Sequence, residues 1–573
     1  MFDLKAKPFY LTDTAIEWVM NTINSMPLEA KIGQIFCLAA HDYSEESLRR
    51  VISTYKPGAL MHRTAAAKTI REANLILQDA SSVPMLLAVN LESGGNGVAN
   101  EGTYMGKQMQ IAATKDSEMA KRLGMICAKE GASVGCNWAF APIIDVDINW
   151  RNPITNVRTF SNDPQIVQMM AGAWQEGFDQ PLLPMASCIK HFPGDGMDER
   201  DQHLTATVND QSADDWRASF GKIYQSLIDQ GAMTAMIGHI LQPALTREKC
   251  PSIRDEDILP ASTNKYLMTD VLRDDLGFNG LIIIDASPMV GYMCMHQRIE
   301  ALRLSLIGGA DMLLFCKNTQ EDMDAIAQGI HDGSITMERL DDAVLHVLAT
   351  KAALGLHEKQ REHSLVPSEE ALEVLGCSQH RQWAQECADA AITLVKDNQN
   401  LLPISPEKFK RIRLTVLGED KQGSFGDNER IGLRLKDELE NAGFIVSVYN
   451  VETMENREIF SCGVESMKEK FDLSLIAANV ATGSNCTTRR VDWITLMAAN
   501  APWYLKDIPT LFVSFANPHH MIDVPYISTF INCYSNNEFC VNAFAEKLVG
   551  QSAFTGISPT DVWCGDVWGA KTM

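Results

Sequence analysis

The chain has 573 residues, of which 46% are hydrophobic and 21% charged, so two or three folded domains are expected and a disordered or fibrous protein is excluded. The formal net charge of −23 disfavours nucleic-acid binding, which needs basic surface to displace counterions from phosphates. We find no apolar run of signal-peptide or membrane-span length, and the 14 cysteines include no Cys-x-x-Cys pair. We therefore expect a cytoplasmic protein with reduced thiols and neither a nucleic-acid nor a membrane partner.

Residues 1–353 alternate between short apolar runs and longer amphipathic stretches. The apolar runs have the character of parallel strands buried on both faces, and they cover residues 32–38, 59–62, 85–90, 138–145, 186–192, 233–240, 281–285 and 311–316. The clearest predicted helices cover residues 107–130, 164–178, 212–230, 264–276 and 296–307. This alternation predicts an α/β fold with a (β/α)8 TIM-type barrel, and a doubly wound open sheet is the alternative.

Polar and ionisable residues collect at the carboxyl ends of the predicted strands. They are Asn90, Asp145, Lys190, His191, His239 and Asp285. In a barrel all these ends open onto one face, where the loops build the active site. Scattered structural polar residues would have no reason to prefer one end, so the pattern favours the barrel.

The pattern changes after residue 353. Residues 354–363 are charged and lack periodicity, which predicts a linker, and a connecting helix follows over residues 369–388. Alternation then resumes, with strands at residues 392–395, 414–417, 445–449, 473–478, 511–515 and 530–533 and helices at 430–441 and 542–549. The sequence thus predicts a linker with its helix over residues 354–390 and a smaller α/β sandwich domain over 391–573.

Residues 190–203 read KHFPGDGMDERDQH and place many ionisable groups just past a predicted strand. Asp201 stands two residues before His203, so its carboxylate can accept one ring N–H and fix the tautomer of the imidazole. That arrangement suits a general acid and base. Many surface loops contain such a pair, however, and a solvated acidic loop is the alternative.

Asp285 ends a run of four aliphatic residues, Leu281 to Ile284. A carboxylate directly after a buried strand is costly unless it is paired or functional. At a strand end in a barrel it predicts a nucleophile or a metal ligand. Asp is also a favoured helix N-cap, and this residue alone does not separate the two roles.

These segments resemble glycoside hydrolase family 3, in its β-N-acetylglucosaminidase branch. KHFPGDGMDERDQH is similar to the family signature KHFPGHGDT-x-x-DSH, and residues 272–286 are similar to its nucleophile segment, LR-x-x-LGF-x-GVI-x-x-D. Further matches are residues 152–160, 260–262 and 392–403, in the family's order. The resemblance implies a (β/α)8 barrel followed by an α/β domain.

The resemblance also implies roles, position by position. Asp285 matches the nucleophile, His203 the acid/base, and Asp201 the carboxylate that forms a dyad with it. Residues that match or stand near the family's sugar-binding positions are Lys190, His191, Arg158, Asn90 and Glu92, and further candidates without a motif match are Asp145, His239 and Met289. No metal ligand and no cofactor is implied.

The chain departs from the signature at Asp195, where the family has a second histidine, and at Met197, where it has an aspartate. Asp198 stands one residue later and is a candidate replacement for that carboxylate. Asn90 stands where a sugar-binding aspartate is expected. These changes leave the catalytic trio intact and bear on the choice of sugar.

The trio predicts a retaining hydrolase that releases terminal β-linked N-acetylglucosamine through a covalent glycosyl-enzyme. A neutral imidazole does not repel an anion, so a phosphorylase is an alternative, and a β-glucosidase is another. A metal-dependent barrel hydrolase is a remote rival, since the ligand-type residues lack a metal-site spacing. A non-catalytic carbohydrate sensor is disfavoured because nucleophile and dyad are both present.

Overall fold

The computed structural model describes residues 2–180, 184–419, 430–449, 462–493 and 500–566. The chain divides into two compact units, each assembled from separate stretches. The first comprises Met1–Tyr104, Ala120–Asn149 and Pro164–His380, and the second comprises Met105–Met119, Trp150–Asp163 and Arg381–Met573. The predicted domain ranges are continuous, because periodicity along a sequence does not reveal which distant stretches pack together.

Eight parallel strands form the centre of the first unit. They are β1 (Phe36–Ala39), β2 (Ala59–Met61), β3 (Leu86–Val89), β4 (Trp138–Ala139), β5 (Cys188–Phe192), β7 (Thr234–Ile237), β9 (Leu281–Ile284) and β10 (Leu313–Leu314). Two short strands, β6 (Thr207–Val208) and β8 (Ile240–Leu241), pair with each other in parallel.

The eight strands follow one another in a ring. One sheet has the order β10-β1-β2-β3-β4 and another the order β5-β7-β9. Parallel bridges join their edges, Trp138 to Ala186 on one side and Ile283 to Met312 on the other. An open doubly wound sheet would leave two edges unpaired, so this order agrees with the predicted (β/α)8 class.

The strands are apolar because both of their faces are covered. One cluster of buried side chains lies inside the ring and includes Cys37, Ala88, Trp138, Met236 and Ile283. Helices cover the outside, and the main ones are Glu45–Tyr55, Ala67–Ala80, Ser117–Ser133, Pro164–Phe178, Lys222–Gln230, Arg298–Gly308, Thr319–His331 and Met337–Ala353. Two stretches, Arg217–Gly221 and Tyr266–Asp275, are π-helical.

Two predicted elements within residues 32–130 are wrong in detail. Residues 32–38 were predicted as one strand, but a helix covers Leu28–Gln34 and the strand begins at Phe36. A short apolar run does not distinguish a buried helix from a strand. Residues 107–130 form two helices, Gln108–Ala113 and Ser117–Ser133, because the Asp116 carboxylate accepts the Glu118 N–H and starts the second.

The predicted linker is also partly helical. Residues 356–361 form the helix Leu356–Arg361, whose first two residues are buried. The helix predicted over residues 369–388 is a 3-10 helix, Glu369–Val374, and then an α-helix, Ser378–Ala391. Gly376 separates them with a φ of 58°, a left-handed conformation that interrupts a right-handed helix.

A six-stranded sheet forms the centre of the second unit. Its order is β11-β16-β15-β14-β12-β13, and β11 alone runs antiparallel to its neighbour. The strands are β11 (Thr393–Asp397), β12 (Arg411–Leu417), β13 (Ile445–Tyr449), β14 (Leu473–Ala478), β15 (Thr510–Ser514) and β16 (Thr529–Asn532), with helices at Ile431–Asn441, Val464–Lys470 and Glu538–Leu548. The predicted α/β character of this region is confirmed. In the described residues we find no helix with the length and apolarity that crossing a membrane requires.

Candidate active site

Polar side chains meet at the carboxyl ends of the barrel strands. Asn90 directly follows β3, Lys190 and His191 lie within β5, and Asp285 directly follows β9. Because the strands are parallel and form a ring, these ends share one face. The predicted residues of the first unit therefore come together, as the following contacts show.

Asp285 has one oxygen fixed and the other turned toward a histidine. Its Oδ1 accepts the Ala286 N–H at 2.7 Å, and its Oδ2 lies 3.9 Å from His191 Nε2. Burial raises the pKa of this carboxyl, but His191 above all, and also the Ala286 N–H, lower it by more than burial raises it. The pKa of Asp285 is therefore below its ordinary value, and the group is an anion at neutral pH.

His191 is oriented by Asp145. The ring Nδ1 lies 2.7 Å from Asp145 Oδ2, and the backbone N–H of His191 donates to Asp145 Oδ1 at 3.1 Å. A carboxylate accepts the ring proton, so Nδ1 is the protonated nitrogen and Nε2 points toward Asp285.

Lys190 lies beside His191 and is 3% exposed. Its ammonium donates to Glu92 Oε1 at 2.8 Å and weakly to Asn90 Oδ1 at 3.5 Å. The buried positive charge is thus paired with a buried carboxylate, and the ends of β3 and β5 are joined by an ion pair.

Asp201 and His203 form the predicted dyad. One oxygen of Asp201 accepts both the backbone N–H of His203 at 2.8 Å and its ring Nδ1 at 2.7 Å. The Asp201 side chain is fully buried, whereas that of His203 is 22% exposed. The carboxylate holds the proton on Nδ1 and leaves Nε2 as the nitrogen available for proton transfer.

The segments that carry the dyad and Asp285 contact each other through their backbones. The Val290 N–H donates to the His203 carbonyl at 3.0 Å. A Cβ at Gly291 would lie 2.1 Å from the Gln202 carbonyl oxygen, so only glycine fits there. The distance between the two proposed reacting groups is therefore set by main-chain packing.

His239 does not present its ring to a substrate, which corrects the prediction. It is completely buried, its Nδ1 lies 2.9 Å from Ser262 Oγ, and its Nε2 lies 3.2 Å from the Ala286 carbonyl. Burial lowers the pKa of His239 to about 4, so the ring is neutral and fixes the residue after Asp285. The prediction erred because a strand-end position does not show which way a side chain faces.

Two further predicted residues are placed differently. Met289 is 7% exposed, and its N–H donates to the Ala286 carbonyl at 3.0 Å, close to Asp285 in the chain. Arg158 belongs to the second unit, where it ends the 3-10 helix Asn156–Arg158 and donates to the Ile154 carbonyl at 3.1 Å. Contact of Met289 and Arg158 with sugar stays a prediction.

The departures from the signature have different structural roles. Asp195 Oδ1 accepts the Gly196 N–H at 2.7 Å, and its own N–H donates to Asp145 at 2.8 Å. Asp198 is paired with Arg200 and accepts the Val208 N–H at 2.9 Å. Its part as a replacement for the missing carboxylate stays a prediction.

Two residues that position the site were not predicted. Gln202 bonds to Asp195 and His239, and the buried Glu130 accepts from Thr103 and contacts His380, which fixes the loop after β3. Glu130 lies in a helix and its partners are far away in sequence, so no local pattern indicates it. Gln202 lies between Asp201 and His203, and this position is the only feature of the sequence that points to a role for it in the site.

One group of metal-ligand types lies apart from this site, formed by Asp311, Asp342 and His346. Arg273 and Arg339 both donate to Asp311, at 2.5 Å and 2.8 Å. Two guanidinium groups already neutralise this carboxylate, so the donor set describes a buried ion-pair network and not a cation site.

The barrel, the paired acid and histidine, and the strand-end carboxylate define a glycosidase class of site. Residues 27–350 match the family model "Glycosyl hydrolase family 3 N terminal domain". The chain therefore belongs to glycoside hydrolase family 3, as its sequence predicted, and is a glycosidase of β-glycosides.

The similar proteins carry several activity names. A "Beta-N-acetylglucosaminidase/beta-glucosidase" of Cellulomonas fimi is 39% identical over 567 residues, 99% of both chains. The solved structure of a "Beta-glucoside phosphorylase BglX" is 44% identical with a TM-score of 0.92, over 99% of each chain. A family 3 β-N-acetylglucosaminidase from Paenibacillus sp. str. FPU-7 has a TM-score of 0.78 at 21% identity, over 94% of this chain and 99% of that one.

Proposed function

We propose that the chain releases terminal β-linked N-acetylglucosamine, and also glucose, from β-glycosides through a covalent glycosyl-enzyme. The observation that carries this proposal is the pairing of an anionic Asp285 with the Asp201–His203 dyad on two segments that contact each other. A nucleophile and a separate proton donor are what double displacement needs.

In the first step a carboxylate oxygen of Asp285 forms a bond to the anomeric carbon, and the bond to the leaving oxygen breaks. His203 gives that oxygen its proton from Nε2. In the second step His203 takes a proton from water, the hydroxide oxygen bonds to the anomeric carbon, and the bond to Asp285 breaks. Asp201 stabilises the imidazolium in each cycle because its carboxylate accepts the hydrogen bond from Nδ1–H.

The residues around Asp285 supply sugar contacts. Lys190 and Glu92 offer a fixed donor and acceptor, and His191, held by Asp145, turns Nε2 toward the nucleophile. His191 Nε2 and Asp285 Oδ2 are 3.9 Å apart, so one sugar hydroxyl beside the anomeric carbon can contact both from the side. Support for a range that includes both sugars comes from the double name of the Cellulomonas relative.

Phosphorolysis is a second candidate, in which phosphate replaces water in the second step and a sugar 1-phosphate leaves. Two observations favour it. The acid/base is an imidazole, which in its neutral form does not repel phosphate as a carboxylate would. A relative that is 44% identical over 99% of the chain is named a β-glucoside phosphorylase.

The test combines trapping with product analysis. A 2-deoxy-2-fluoro glycoside is expected to label the protein once, on the peptide that contains Asp285, as mass spectrometry would show. Aryl β-N-acetylglucosaminide and aryl β-glucoside are then turned over with and without phosphate, and the products are identified. A label elsewhere, or no turnover of either sugar, would refute the proposal, and sugar 1-phosphate would select the second candidate.

A cytoplasmic location is also proposed. All 14 cysteines are free thiols, which supports a reducing compartment. Cell fractionation with a compartment marker tests this, and recovery outside the cytoplasm would contradict it.

A further inference from the structure

Gln202 lies between the two members of the dyad, yet its side chain is buried and bonds to other residues. Its Nε2 donates to Asp195 Oδ2 at 3.0 Å, and its Oε1 accepts the His239 backbone N–H at 2.9 Å. Asp195 follows β5 and His239 follows β7. The side chain therefore attaches the dyad loop to two strand ends of the barrel.

The bonding pattern leaves one orientation for this amide. The Asp195 carboxylate only accepts and the His239 N–H only donates, so Gln202 must turn its NH₂ to the first and its oxygen to the second. Asp195 is itself fixed, because it accepts the Gly196 N–H and donates its own N–H to Asp145.

The main chain of the same residue faces the nucleophile segment. The Gln202 carbonyl oxygen lies 2.1 Å from the position of a Cβ at Gly291, and the next carbonyl, that of His203, accepts the Val290 N–H. Gln202 is thus held on one side by strand ends and on the other by the segment after Asp285.

We infer that Gln202 is a positioning residue for His203, with Asp195 as its anchor, and this inference rests on the function proposed above. In the signature quoted earlier, a serine and a histidine stand at these two positions. Here both residues differ, and the two side chains bond to each other. The bonded pair Asp195–Gln202 holds the His203 imidazole in the position from which it protonates the leaving oxygen.

A charge-transposing pair of substitutions tests this. In Asp195→Asn the NH₂ groups of the new asparagine and of Gln202 face each other. If the Gln202 amide rotates by 180° to avoid this, its NH₂ then faces the His239 N–H. In Gln202→Glu two carboxylates lie in contact. In the double variant the new asparagine donates to the new glutamate, which still accepts from His239, so both bonds of residue 202 return and the net charge equals that of the wild type.

Each variant is assayed on an alkyl glycoside, which needs protonation, and on a dinitrophenyl glycoside, which does not. Each single substitution is expected to lower kcat/KM for the alkyl glycoside about 10- to 100-fold and for the dinitrophenyl glycoside less than about 3-fold. The double variant is expected to recover to within about 3-fold of wild type on both substrates.

The pH profile is a second readout. In Gln202→Glu a proton shared by the two carboxylates replaces the lost amide donor, so its deficit on the alkyl glycoside shrinks as the pH falls. The double variant contains one carboxylate at this point and should show no such recovery.

The outcomes separate this inference from the proposed function. If His203→Ala does not discriminate between the two substrates, the acid/base assignment itself fails. If His203→Ala discriminates but the single variants lose activity equally on both substrates, or the double variant is no better than the singles, the positioning role is refuted. Melting temperatures of all variants show how much of each loss is due to unfolding.

Discussion

Two buried aspartates at opposite ends of the barrel strands show what separates a stabilising carboxylate from a reactive one. Asp311 precedes β10, is completely buried, and accepts bonds from Arg273, Arg339 and the Ile282 N–H. Asp285 follows β9, is 9% exposed, and accepts one backbone N–H, with its other oxygen 3.9 Å from His191. Burial is similar, so the number of donors makes the difference.

Isosteric substitution of the two aspartates is the strongest test of this contrast. Asp285→Asn is expected to lower kcat at least about 10⁴-fold, because an amide does not attack the anomeric carbon. Its free energy of unfolding should change by about 1 kcal/mol or less, since the amide oxygen can still accept the Ala286 N–H. Steady-state kinetics and urea unfolding measure the two effects, and wild-type turnover in this variant would remove Asp285 from the mechanism.

Asp311→Asn should give the reverse result. It leaves Arg273 without its carboxylate partner and Arg339 with Asp342 alone, so the free energy of unfolding is expected to fall by about 3 kcal/mol. The kcat of the folded protein should stay within about 2-fold of wild type, because the network lies at the other end of the strands. A large loss of kcat in protein shown to be folded by circular dichroism would break the comparison.

His203→Ala should have a smaller and selective effect. Loss of the acid is expected to slow an alkyl glycoside about 10²-fold or more, and a dinitrophenyl glycoside much less. The measurement is kcat/KM across leaving groups of graded basicity. Equal losses across the series would show that His203 does not protonate the leaving oxygen.

The smallest expected effect is on pH dependence. The pKa of Asp285 lies below its ordinary value of 3.8. The carboxyl is therefore ionised at pH values above 3.8, and it becomes protonated only as the pH falls through the lowered pKa. His191→Gln removes the largest favourable contribution, so the acid limb of the dinitrophenyl kcat/KM profile should move to higher pH. A limb that stays in place would show that His191 does not stabilise the anion.

The contrast also shows what the sequence can reveal. Asp285 was predicted because four aliphatic residues lead to it and because its strand end faces the loops. Asp311 is the first residue of an apolar run in the sequence, and its arginines stand 38 and 28 residues away. A motif whose residues are neighbours in the chain can be recognised in the sequence. A network whose residues are brought together only when the barrel forms cannot.

The same limit explains the errors at the site itself. The sequence indicated that His239 ends a strand but not that its ring turns away to Ser262 and Ala286. It placed Gln202 inside the dyad motif but did not show its bonds to Asp195 and to the end of β7. Side-chain direction at a strand end depends on the register of neighbouring strands, which no local pattern contains.

The close approach of Gly291 to the Gln202 carbonyl has a consequence for protein engineering. The acid/base loop and the segment after the nucleophile are two separate stretches of chain, but their backbones pack directly against each other. If residues 190–203 are grafted into another barrel without residues 285–291, any residue other than glycine at the position of Gly291 would clash with the grafted loop. The two stretches therefore form one transplantable module, and chimeras should exchange them together.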